Sequence, residues 1–116
     1  MLFRSEMRLF LDLSGPPPPR EKLCSRLARY TGVDSDRAVK IVETYEAALA
    51  TTDTNEIWAQ LFTDVEMQVP AAAMRAAHGD HGPVYSYLFG WPAADPRLGA
   101  CHGIDIPFTL DRKSVV

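Results

Sequence analysis

The chain has little of what marks the specialised classes of protein. It has two cysteines, Cys24 and Cys101, and no C-x-x-C pair. Neither a zinc site nor a dithiol redox motif is indicated, and both cysteines read as free thiols. Positive charge is neither abundant nor clustered: twelve Lys and Arg against fifteen Asp and Glu leave a net charge of -3, with a pI near 5.5. That balance lacks the basic patch on which nucleic-acid binding rests. No apolar run approaches the roughly 18 residues that cross a bilayer. Near the start, Arg4, Glu6 and Arg8 stand where a signal peptide carries its apolar core. A cytoplasmic protein with no nucleic-acid partner and no membrane partner is the expectation.

What is present is the composition of a globular domain, 47% hydrophobic and 23% charged over 116 residues, about the size of one ordinary domain. After an apolar stub at Met1 to Phe3, the segment 6–12 predicts a short helix with Glu6 in its first turn. Met7, Leu9, Phe10, Leu11 and Leu13 make a dense apolar patch there. Gly15 and the run Pro16 to Pro19 end it, and the prolines favour an extended polyproline connector. Helical spacing then begins. Leu23, Leu27 and Tyr30 share one face, with Gly32 as the stop. Asp34 or Ser35 caps a second helix in which Ala38, Val42, Tyr45 and Leu49 recur. A third opens near Asp53 or Thr54, with Ile57, Leu61 and Val65 in one stripe and Trp58 and Phe62 beside it. Pro70 predicts a break or kink near Met67 and a new helix over about 69–77, whose alanines offer a small, closely packing surface with Met74 as a core gap-filler.

Val84-Tyr85-Ser86-Tyr87-Leu88-Phe89 is the one convincing strand, and its nearly unbroken apolar pattern fits a strand covered on both faces of a parallel sheet. Only the stub at 1–3 offers it a partner, so the sequence reads as part of a larger α/β fold. Leu98-Gly99-Ala100-Cys101-His102-Gly103-Ile104-Asp105-Ile106-Pro107-Phe108 then predicts a tight loop that presents an imidazole and starts a helix near Pro107. Asp105 either orients that loop or serves as a helix N-terminal acid. Cys101 reads as a packed small residue, and Trp58 and Trp91 as core or interface residues.

Three of these segments resemble the C-terminal part of the type B carboxylesterases, the α/β-hydrolase family that includes bacterial para-nitrobenzyl esterases and the cholinesterases. Ser5-Glu6-Met7-Arg8-Leu9-Phe10 is similar to the family's acid segment. Thr63-Asp64 to Pro70-Ala71, with the run 84–89, is similar to its Asp-x-x-x-x-x-Pro helix and following Tyr-x-Tyr-x-Phe strand. Leu98 to Phe108 is similar to its catalytic histidine loop. The resemblance covers nearly all of positions 4–111. It implies an α/β fold class: the C-terminal portion of an α/β-hydrolase fold, mostly helical with one or two strands of the parent sheet. Residues 1–116 would form a partial carboxylesterase domain without its nucleophile-bearing part or final helix. It further implies that Glu6 is the triad acid and His102 the general base, with a small-molecule carboxylic ester as substrate and no cofactor or metal. The chemistry suits those residue types: an imidazole shuttles a proton near neutral pH, and a carboxylate on its other nitrogen fixes the tautomer.

The sequence also departs from the family. It contains no G-x-S-x-G and no oxyanion loop, and Leu2-Phe3-Arg4-Ser5 stands where Gly-Thr-x-Asp is usual. Ser5, Ser14, Ser25, Ser35, Ser86 and Ser114 lack the setting of an exposed nucleophile. Loss of a triad nucleophile costs about 10⁶ in rate, so the chain alone is expected to be inert, and active only when complemented by an N-terminal hydrolase portion. Two other readings stand beside this one. A non-catalytic helical module would bind a partner through the open edges of 84–89. A small metal site would use His78, Asp80 and His81, whose H-x-D-H spacing on a glycine-rich turn suits zinc.

Overall fold

The computed structural model describes residues 2–12 and 14–109; Met1, Leu13 and Ser114, named above, lie outside them. The chain divides into two compact units, one formed by Leu13–Leu61 and the other by Met1–Asp12 together with Phe62–Val116.

The Leu13–Leu61 unit is built on a helix pair. Pro19 is extended, with φ -57° and ψ 150°, and α1 runs over Arg20–Thr31 before stopping at Gly32 in the left-handed region. After a three-residue loop, α2 spans Ser35–Leu49, and the Asp34 carboxylate accepts the Arg37 N–H at 2.8 Å to cap it. The Asp53 carboxylate does the same for α3, Thr54–Thr63, accepting from the N–H groups of Asn55 and Glu56. The proline connector is tied down where α3 begins. The Thr54 hydroxyl donates to the Pro18 carbonyl at 2.6 Å, and the Asn55 amide donates to the Gly15 carbonyl.

The apolar faces expected from the spacing are inside this unit. Leu23, Leu27, Ala38, Val42 and Ile57 are each at most 1% exposed. Burial of a side chain of this size stabilises by about 1.5–3 kcal/mol. Tyr30 and Leu49, at the ends of their stripes, are exposed instead. On the outer side, Arg20 grips Glu46 in a two-point fork, with Nε to Oε1 at 2.7 Å and Nη2 to Oε2 at 3.2 Å. That hydrogen bonding raises the Arg20 pKa and lowers that of Glu46.

In the other unit, Glu6–Phe10 forms a 3-10 turn. The break or kink expected near Met67 takes the form of an irregular turn without a break in the helix. A π-helical turn at Asp64–Gln68 leads directly into α4, Val69–Gly79, through residues that all keep right-handed helical angles. The Val69 N–H reaches back five residues to the Asp64 carbonyl. The wider turn absorbs one extra residue just where proline, lacking its own N–H, disturbs the ladder. The close packing expected of α4 is also corrected. None of its side chains is buried, and Met74 is 73% exposed. Among the described residues no helix is long and apolar enough to cross a membrane.

The expected α/β class, and with it the sheet of an α/β-hydrolase fold, is contradicted. Among the described residues helix accounts for 58% and no α/β sheet forms. The extended pairing amounts to β1, Leu2–Phe3, lying parallel to β2, Leu88–Phe89. Residues 84–87 adopt no regular structure. Their apolar character does not bury them either: Tyr85 is 91% and Tyr87 63% exposed. A strand persists only where neighbours take up its N–H and C=O groups, and here two residues are all that the stub supplies. Trp91, expected in the core or at an interface, is not in the core: it is exposed and packed edge-on against Phe108.

Leu27→Ala removes a side chain 1% exposed in the Leu13–Leu61 unit. It should cost about 2–5 kcal/mol in denaturant unfolding, whereas Leu49→Ala, at an exposed position, should cost under about 1 kcal/mol.

Candidate active site

Glu6 and His102 stand 96 positions apart in sequence and meet in space. His102 Nδ1 lies 3.0 Å from Glu6 Oε1. Two local features bring them there. Glu6 opens the 3-10 turn, and the following Met7 N–H donates to the hydroxyl of Thr63, a fully buried residue, at 3.2 Å. His102 sits on a loop bent by two glycines in the left-handed region, Gly99 at φ 56° and Gly103 at φ 76°. At Gly99 the bend coincides with a close approach, since a Cβ there would stand 2.9 Å from Ser5 Oγ. Only glycine satisfies both demands.

The preceding loop is braced from within. Asp95 holds Arg97 through two-point ion pairing with a shortest contact of 2.6 Å, while the Arg97 carbonyl accepts from Arg8 Nη1 at 3.1 Å. Hydrogen bonding from the Arg97 side chain, then from its backbone N–H, lowers the Asp95 pKa to about 2.

The pair is asymmetric in its surroundings. The Glu6 side chain is only 5% exposed, while that of His102 is 49% exposed. Glu6 Oε2 is buried without a hydrogen-bond partner among the described residues. The Phe10 ring lies beside the imidazole, with centroids 5.8 Å apart. With its proton on Nδ1, the imidazole donates to Oε1 and keeps its lone pair on Nε2. That is the tautomer a general base needs.

The other candidates fall elsewhere. Cys101 is a buried thiol, and burial first, then the nearby Glu6 charge, pushes its pKa up. A thiol so placed stays protonated and packs as a small residue. Asp105 is buried, and its backbone carbonyl accepts the Phe108 N–H where α5, Ile106–Thr109, begins. His78, Asp80 and His81 do not form a metal-holding group: no cluster of three or more His, Cys, Asp or Glu side chains suited to a metal occurs among the described residues. His81 and His78 instead share a turn through a backbone hydrogen bond of 2.8 Å. Spacing alone missed Thr63 and Ser5 as supports of the site. Their signal is three-dimensional, a hydroxyl under a helix turn and a side chain filling the hollow beside a glycine.

Gly99→Ala should destabilise the chain by about 1–3 kcal/mol and broaden the His102 ring signals in NMR spectra, where Gly79→Ala, with open space around it, should not. Asp95 gives a second check. Its folded-state pKa is depressed, so its contribution to stability is complete above the ordinary carboxylate value of about 3.9. That contribution is lost as the pH falls through about 2. An NMR titration should place the Asp95 midpoint there, and Arg97→Gln should return it toward the ordinary range.

Compared with known protein families, the sequence matches no family model.

Proposed function

We propose that this chain supplies the acid and the histidine of a serine carboxylic-ester hydrolase, with Glu6 orienting His102 as general base, and that the serine comes from another segment or chain. The observation that carries the reading is the 3.0 Å contact between His102 Nδ1 and a nearly fully buried Glu6 carboxylate. The resemblance of Leu98 to Phe108 to the histidine loop of type B carboxylesterases supports it.

In the reaction, His102 takes the serine proton as the hydroxyl attacks the ester carbonyl, then returns it to the departing alkoxide. Water repeats the sequence to release the acid. The buried Glu6 charge stabilises the imidazolium that exists between the two transfers. A small-molecule carboxylic ester is the substrate class. A cytoplasmic location belongs to the same proposal, and cell fractionation checks it.

A second reading, a non-catalytic partner-binding module, draws on the exposed apolar residues Tyr85, Tyr87 and Leu88. Size-exclusion chromatography separates the two: a compact monomer with a sharp thermal transition speaks against the module.

The catalytic proposal is tested by adding a hydrolase portion that carries G-x-S-x-G, in one chain or in trans, and assaying a short-chain aryl ester. Activity should appear, fall by about 10³-fold or more with His102→Ala, and fall less with Glu6→Gln. Full activity in the His102→Ala variant would overturn the assignment.

A further inference from the structure

The Leu13–Leu61 unit contains a cleft of about 340 Å³ that the ester reading leaves unused. Lys22, Arg26 and Arg29 line it. Their spacing of four and three residues puts them on one face of α1. Trp58, on α3, lines it too. The Arg26 guanidinium lies 4.1 Å over the Trp58 ring. Stacking of this kind sets the plane of the guanidinium while its N–H edge stays available to an acceptor. The ring beneath is 5% exposed and meets Tyr30 edge-on at 5.7 Å, so the platform is itself held in place.

The charge balance of the cleft is one-sided. Among the described residues, none of Lys22, Arg26 and Arg29 makes a salt bridge, whereas Arg20 on the same helix is matched by Glu43 and Glu46. The remaining lining residues are uncharged, Thr54 and Asn55 among them. Like charges lining one cleft repel one another, and an anion between them relieves that repulsion.

We propose that this cleft binds a phosphate-bearing small molecule, with Arg26 and Arg29 donating to the phosphate oxygens and Lys22 adding a point charge. A phosphate dianion answers several cations from different directions, while a carboxylate offers one charge and one planar edge. The volume lies at the small end of ligand sites, roughly 300–1,000 Å³, and suits a phosphomonoester with a short organic part.

The test uses the full chain with Trp91→Phe, which leaves Trp58 as the sole tryptophan of the two in the sequence. Its fluorescence is followed while inorganic phosphate, or in parallel glycerol phosphate, is added at low ionic strength. A saturable change with a dissociation constant of about 1 mM or tighter is expected, weakening as salt is raised. Lys22→Gln and Arg29→Gln change exposed side chains and should each weaken binding by about fivefold. Tighter binding of the ester than of inorganic phosphate supports a phosphomonoester site, and equal binding supports recognition of the oxyanion by itself. Absence of a saturable change with either probe, or a change that survives in the double variant, overturns the proposal.

Discussion

Three main-chain hydrogen bonds join residues 4–6 to residues 89–102, and the candidate site depends on them. The Arg4 N–H donates to the Phe89 carbonyl at 3.1 Å, and the Ser5 N–H to the Ala100 carbonyl at 3.0 Å. The His102 N–H donates in turn to the Glu6 carbonyl at 3.2 Å. The last of these links the same two residues whose side chains meet. A side-chain contact alone would have to offset the ordering of a glutamate, which costs up to about 2 kcal/mol of rotamer freedom. With the two backbones already paired, only the last torsions remain to be set. The proposed role needs groups held to within about 0.5 Å, and these main-chain bonds restrain both residues.

The helices were legible in the sequence because their signals are local. Leu23 and Leu27, Ala38 and Val42, and Ile57 and Leu61 recur at helical spacing, and each of these pairs is buried. Asp34 and Asp53 cap helices, as their side-chain chemistry favours. The segment 84–89 misled for the opposite reason. Strand propensity describes how a residue fits a pleated surface with neighbours on it, and the number of neighbours is not written in the segment itself. Two residues pair with Leu2–Phe3 and the rest stay irregular. The Pro70 signal marked a disturbance and left its form open between a break and a kink; a π-turn answers the same missing N–H. The meeting of Glu6 with His102 was expected from a resemblance in wording and not from periodicity, while Thr63 and Ser5 fell inside the resembling segments with nothing to mark them as supports.

Burial and exposure are divided between the two members of the pair in a way that matters for their chemistry. A carboxylate that is 5% exposed is poorly screened by water, so its field on the neighbouring imidazolium is stronger than a surface ion pair would give. An imidazole left half open to solvent stays within reach of a hydroxyl brought from elsewhere. Under the proposed function, reversing the two environments would spoil both roles: a solvated glutamate would orient weakly, and a buried histidine would meet no substrate. On that same proposal the asymmetry does not stand in for a nucleophile, because serine and histidine act as a unit and the loss of either costs about as much as the loss of both. Glu6 and His102 therefore form a contact that the main chain around them sets in place, and under the proposed function the rate gained on adding a serine measures how well it is set.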